Sequence, residues 1–153
     1  MNVPAGDLSF LDDPMAAQLL ASPIPARLAY LWFDGTPRVV PIWFHWDGSA
    51  VVVCSPPKAP KLKALEQNPE VLVTIDSNDW PYKVLSVRGT ATVTMLDDLA
   101  PEYAAAAERY LGPVEGKAWA AQLRGKSMGR VSIEPRWANI LDFEERFPSA
   151  LSA

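Results

Sequence analysis

The chain has 153 residues, a formal net charge of -4 and a pI near 4.9, with 49% apolar and 21% charged residues. That balance belongs to a soluble globular fold, and the acidic surplus removes any general attraction to a phosphate polymer, so nucleic acid is not expected as a partner. One cysteine, Cys54, and one histidine, His45, exclude an internal disulfide and a Cys/His metal cage, so no metal is expected.

The length fits a single domain over 1-153, with a core from about 15 to 143. No apolar run approaches the roughly 18 residues of a spanning helix, so no membrane association is expected. The start, MNVPAGDLSFLDDP, is acidic and lacks a basic, then apolar, leader. The expected location is the cytoplasm.

In chain order, Asp12-Asp13-Pro14 reads as an N-cap and first turn for a short helix ending near Ser22-Pro23. Ala26 to Phe33, the turn Asp34-Gly35-Thr36-Pro37, and Arg38 to Phe44 read as a hairpin. Pro41 belongs at an edge or bulge because it cannot donate to a ladder. Asp47-Gly48 turns into Ala50 to Cys54, giving three consecutive antiparallel strands. A two-turn helix then ends at Asn68-Pro69.

Val71 to Ile75 is a nearly continuous apolar strand, and Asp76 to Tyr82 a polar loop carrying Trp80 and Tyr82. A long strand from Lys83 to Met95 follows, with a bulge at Gly89. Asp97-Asp98 caps a helix through Tyr110, stopped by Gly112-Pro113, and Glu115 to Arg124 forms another. The end reads as two short strands joined at Pro135. Six or seven strands linked by tight turns argue for a mainly β fold, an antiparallel split barrel with flanking helices. Gly125-Lys126-Ser127 is no phosphate-binding loop, because the glycine required five residues earlier is Ala120.

The stretch CSPPKAPKLKAL, Cys54 to Leu65, crowds three lysines into six positions where the third strand gives way to a helix. Lysines in a first helical turn oppose the positive end of the helix dipole unless an anion sits nearby. A solvated linker with exposed lysines is the plain alternative. The order of segments favours the anion: Arg27-Leu28-Ala29; Asp34-Gly35 through Trp43-Phe44; Asp47-Gly48 and the strand to Ser55; Lys61 through Asn68-Pro69; Val87-Arg88-Gly89-Thr90-Ala91; and Arg130 to Pro135. Over about residues 15 to 143 this order resembles the split-barrel flavin-binding family of pyridoxamine 5'-phosphate oxidase and its smaller relatives.

The resemblance implies an oxidoreductase that moves a hydride to or from a small organic substrate, using FMN or the 8-hydroxy-5-deazaflavin coenzyme. It assigns ring contacts to Val40, Pro41 and Ile42, an anion contact to Arg38, and the phosphate-bearing tail to Ser55, Lys58 and above all Lys61, with Lys63 facing outward. Trp80, Tyr82 and Trp137 are the candidates for a substrate pocket, against a role in packing. It implies a homodimer with two sites between subunits, and it names no catalytic acid or base. A non-catalytic flavin, deazaflavin or haem carrier on the same barrel is the alternative. Two departures from the oxidase pattern stand out: Ala59 and Pro60 replace a serine and arginine before the lysine, and Trp43 replaces a lysine at the end of the first ring-binding strand.

Overall fold

The computed structural model describes residues 4–146. A 3-10 turn, Leu8–Asp12, leads into α1 (Pro14–Leu20), whose N-cap Asp13 accepts from the Met15 N-H at 2.9 Å. The strands are β1 (Ala26–Leu31), β2 (Pro37–Ile42), β3 (Phe44–Trp46), β4 (Val51–Ser55), β5 (Glu70–Asp76), β6 (Lys83–Leu96) and β7 (Met128–Asp142). Between them lie α2 (Pro60–Gln67), α3 (Pro101–Leu111) and α4 (Pro113–Leu123).

All pairings are antiparallel, in one sheet ordered β2-β1-β5-β6-β7-β4-β3. Its two outermost strands, β2 and β3, are separated in sequence only by Trp43. The sheet must therefore curl until its ends meet at that residue, which makes a split barrel flanked by helices. Alternation along β3 and β4 sends Phe44, Val51 and Val53 inward, where they pack with Leu28, Leu65, Val73, Leu85, Val131 and Ile133 in one buried core. On the opposite face α3 packs over β3 and β4, and Leu99, Ala100, Ala120 and Met128 form a second, smaller core.

The β1–β2 hairpin closes as expected, with Gly35 at φ 80 and Asp34 accepting from the Thr36 N-H at 3.0 Å. Pro41 sits on the outermost strand β2, where its missing N-H costs no ladder bond. The bulge falls where glycine announces it, between Arg88 and Gly89. A Cβ on Gly89 would lie 2.4 Å from the Glu134 carbonyl oxygen, so the close approach of β6 and β7 requires glycine.

Three expectations are corrected. The run from Arg38 to Phe44 is not one strand: it breaks at Trp43, so β2 pairs with β1 while β3 pairs with β4, and the three consecutive strands do not form. The chain end is one continuous strand, because the bulge opposite Gly89 accommodates Pro135 without ending β7. Asp98 does not cap α3, whose N-cap is Ala100; its carboxylate instead accepts from the Leu99 and Gly125 N-H groups, each at 2.7 Å, tying the approach to α3 to the turn after α4.

Candidate functional site

The end of β4 and the start of α2 hold the predicted anion-binding residues. Ser55 pairs with Gly129 of β7, and a Cβ on Gly129 would sit 2.3 Å from Leu62 Cδ1, so the missing side chain lets α2 lie directly on the sheet. Leu62, Ala64 and Leu65 bury that face of the helix. Its N-terminus is left without a side-chain cap, because Ala59 stands at the N-cap, and without an acidic residue in the first turn. Pro60 has no N-H and the Leu62 N-H donates to the Ala59 carbonyl at 3.1 Å, so what remains is the positive dipole end of the helix without a compensating side chain.

Two side chains beside that terminus lack partners. Ser55 is 5% exposed, and its hydroxyl is buried with no hydrogen-bond partner. Buried hydroxyls almost always find a partner, so this one is an exception within the fold. Lys61 is half-buried and makes no ion pair among the described residues; burial alone pushes its ammonium below the ordinary lysine value. Lys58 and Lys63 are exposed, as expected for Lys63. A hydroxyl, an ammonium and a capless helix start are a donor set that fits a phosphate.

Pro41 and Ile42 line a crevice of about 410 Å³ together with Pro25, Trp43, Cys54 and Tyr103. Trp43 stacks on Tyr110 with centroids 4.9 Å apart and planes 7° from parallel, and lies 5.9 Å from the Tyr103 ring. Tyr110 is itself fixed, its hydroxyl donating to the Ile24 carbonyl at 3.0 Å, with the Arg109 guanidinium 4.9 Å from its ring. Arg109 Nε donates to the Ser22 carbonyl at 3.0 Å and another of its nitrogens to the Phe44 carbonyl. Burial pushes the Cys54 thiol up to about 12, so it is a neutral wall and not a nucleophile.

The remaining candidates lie elsewhere. Val40 packs against the main core, and Arg38 is exposed on β2 with its guanidinium 3.6 Å above the Trp32 ring. Trp80 and Tyr82 form an edge-on aromatic group with Phe143, Trp80 being 66% exposed. Trp137 stands on β7, 4.6 Å from the Arg88 guanidinium and against Gly6. None of these three aromatics lines the crevice.

Pro25, Trp43, Cys54 and Tyr103 line the crevice without having been assigned to the site from the sequence. The only signal for Tyr103 was an aromatic heading an alanine-rich helix. Next to it Glu102 accepts from Arg130 Nε at 3.0 Å, a pair held between α3 and the strand opposite Cys54.

The chain folds as a split β-barrel, with uncompensated cations at one helix start and an uncharged aromatic crevice. It belongs to the pyridoxamine 5'-phosphate oxidase family, whose family model matches residues 13–138. Among solved structures it is similar to an F420 reductase, at 25% identity and a TM-score of 0.60 over 79% of this chain and 93% of that one. A conserved hypothetical protein from Mycobacterium tuberculosis matches at 23% identity and a TM-score of 0.70, over 94% and 91%. A haem storage protein from Vibrio cholerae matches at 16% identity and 0.60, over 85% and 93%, a likeness of fold alone. No curated protein matches the chain. No helix among the described residues is long and apolar enough to cross a membrane.

Proposed function

We propose that this protein is an oxidoreductase that holds FMN or the 8-hydroxy-5-deazaflavin coenzyme. The observation that carries the reading is the pair of unpartnered groups at the start of α2: the buried Ser55 hydroxyl and the half-buried Lys61 ammonium. Together with the capless helix start they would bind the phosphate of the cofactor's tail, with Lys58 as an outer cation. Pro41 and Ile42 would orient the ring, and the apolar walls of their crevice would keep water from it. When bound, the cofactor supplies the hydride chemistry. The family membership and the similarity to an F420 reductase support this reading. The deazaflavin's longer acidic tail would engage more than one lysine.

The reading has the chain act as a homodimer. Val39 on β2 and Met95 on β6, 64% and 52% exposed, are apolar surface that a second copy would cover. Sedimentation should give a mass of two chains, and a monomer at micromolar concentration would refute this part. The central test is titration of the purified protein with each cofactor, followed by absorbance. One of them should bind at micromolar concentration, and Lys61→Ala should weaken it about tenfold or more, the scale of a charge-assisted hydrogen bond. Failure of both cofactors to bind would sink the proposal. Binding without turnover by any reductant would leave a carrier rather than an enzyme.

A further inference from the structure

We infer that Arg109, near the C-terminal end of α3, is a positioning residue for the cofactor's ring: together with Tyr110 it fixes the distance between two walls of the crevice that would receive that ring. The inference rests on the proposed function for its word cofactor, but the clasp itself belongs to the free chain.

One wall comes from the loop between α1 and β1, through Pro25, and another from the break between β2 and β3, through Trp43. Arg109 holds both segments. Its Nε donates to the Ser22 carbonyl at 3.0 Å, and another guanidinium nitrogen donates to the carbonyl of Phe44, the residue directly after Trp43. Tyr110 repeats the arrangement one position on: its hydroxyl donates to the Ile24 carbonyl at 3.0 Å while its ring stacks on Trp43. Two successive helix residues thus each tie one wall to the other.

The chemistry of the side chain points the same way. Arg109 is part-buried and makes no ion pair among the described residues. A partly desolvated cation without a counter-ion is costly unless its donors are satisfied, and here two carbonyls do so, with the Phe44 and Tyr110 rings 4.8 and 4.9 Å away. A planar fork of donors can bridge two carbonyls and lie beside aromatic faces at once; a lysine ammonium cannot. Filling space alone would need only an apolar side chain. Walls held apart beforehand spare an entering ring the cost of ordering them.

The test pairs a readout on the free chain with two fragment probes. In protein labelled with 5-fluorotryptophan, the fluorine NMR signal of Trp43 is assigned by its loss in Trp43→Phe, and Trp80, in the β5–β6 loop, is the reference. Arg109→Lys, which keeps the charge, and Arg109→Met, which keeps the unbranched stem, should each shift or broaden the Trp43 signal and leave that of Trp80 in place. Lumiflavin, a ring without a tail, should bind both variants about tenfold more weakly, the scale of one hydrogen bond from a charged donor. Inorganic phosphate, followed by phosphorus NMR, should bind as it does to wild type.

A Trp43 signal unmoved in both variants would overturn the clasp. So would full lumiflavin affinity in Arg109→Lys, because charge alone would then suffice, and so would an equal loss of phosphate, which would mark a role in the fold at large. Where the Met variant does not fold, the Lys variant decides. If the Trp43 signal moves as described but neither probe binds wild type, the clasp stands and the proposed function falls.

Discussion

Removing a buried hydroxyl should stabilise this protein while damaging its binding. Ser55 lies at the last position of β4, 5% exposed, with Val51 and Val53 on the same face and its hydroxyl without a partner. A buried polar group left unsatisfied costs roughly 1 to 3 kcal/mol relative to an apolar replacement. Ser55→Ala deletes the group and little volume, so the cofactor-free protein should gain about 1 kcal/mol. For a chain of this size that gain raises Tm by roughly 2 to 4 °C. If the hydroxyl donates to a phosphate in the bound state, the same substitution removes a charge-assisted hydrogen bond and weakens cofactor binding by about 10- to 100-fold. Thermal unfolding by circular dichroism gives the first quantity and cofactor titration the second. The reasoning fails if the free protein loses stability on substitution, because the hydroxyl would then be satisfied in the folded chain and not held in reserve.

Three further perturbations address other parts of the structure. Burial lowers the pKa of Lys61 from its ordinary 10.5, so the cation that binds the anion is lost at a lower pH than a free lysine's. Cofactor affinity should fall as pH rises through that depressed value, and Lys61→Arg should flatten this limb because a guanidinium stays charged; a wild-type affinity constant from pH 7 to 10.5 would contradict the assignment. The Arg130 hydrogen bond holds the Glu102 carboxyl below its ordinary 4.5, despite opposition from burial. The stability it contributes is complete above that value and is lost as pH falls through the lower folded-state value. Glu102→Gln should therefore cost about 2 kcal/mol at neutral pH and make acid unfolding shallower, measured by urea midpoints between pH 3 and 7; an unchanged acid limb would place the acid sensitivity elsewhere. Gly89→Ala forces a Cβ to within 2.4 Å of a backbone oxygen, and the strain should cost roughly 1 to 3 kcal/mol, read as a lower Tm. A Tm unchanged within a degree would mean that β6 and β7 can separate at the bulge.

What was readable in the sequence was what local chemistry decides. Asp34-Gly35 makes a turn because glycine accepts φ 80 and the aspartate accepts from Thr36. Asn68-Pro69 ends α2, and Gly89 marks a bulge, for equally local reasons. The break at Trp43 was not readable. Ile42-Trp43-Phe44 continues an apolar run, and only closure of the sheet, which pairs β2 with β1 and β3 with β4, decides that the middle residue must leave the ladder. Likewise Pro135 looks like a terminator until pairing with β6 lets β7 bulge at Arg136, beside it, and run on.

The proposed anion site could be picked out in the sequence for the same reason that the crevice could not. Three lysines beside a helix start conflict with the dipole of that helix, and a conflict inside twelve consecutive residues can be seen in one dimension. The crevice draws Pro25, Trp43, Cys54 and Tyr103 from four separated segments, each unremarkable alone. Aromatics in sequence carry no sign of whether they will plug a core or wall a cavity, which is why Trp80, Tyr82 and Trp137 looked as good as Trp43. What singles Trp43 out is its position between two strands that belong to opposite ends of the sheet. Freed from pairing, the residue is held by Tyr110 instead. A lysine there, as the oxidase pattern would have it, would exchange that stack for a cation and put charge into a crevice that now has none. The substitution and the neutrality of the pocket are thus one feature, and with charge confined to α2 the two ends of a ligand that is anionic at one end and planar at the other would be sorted by electrostatics alone.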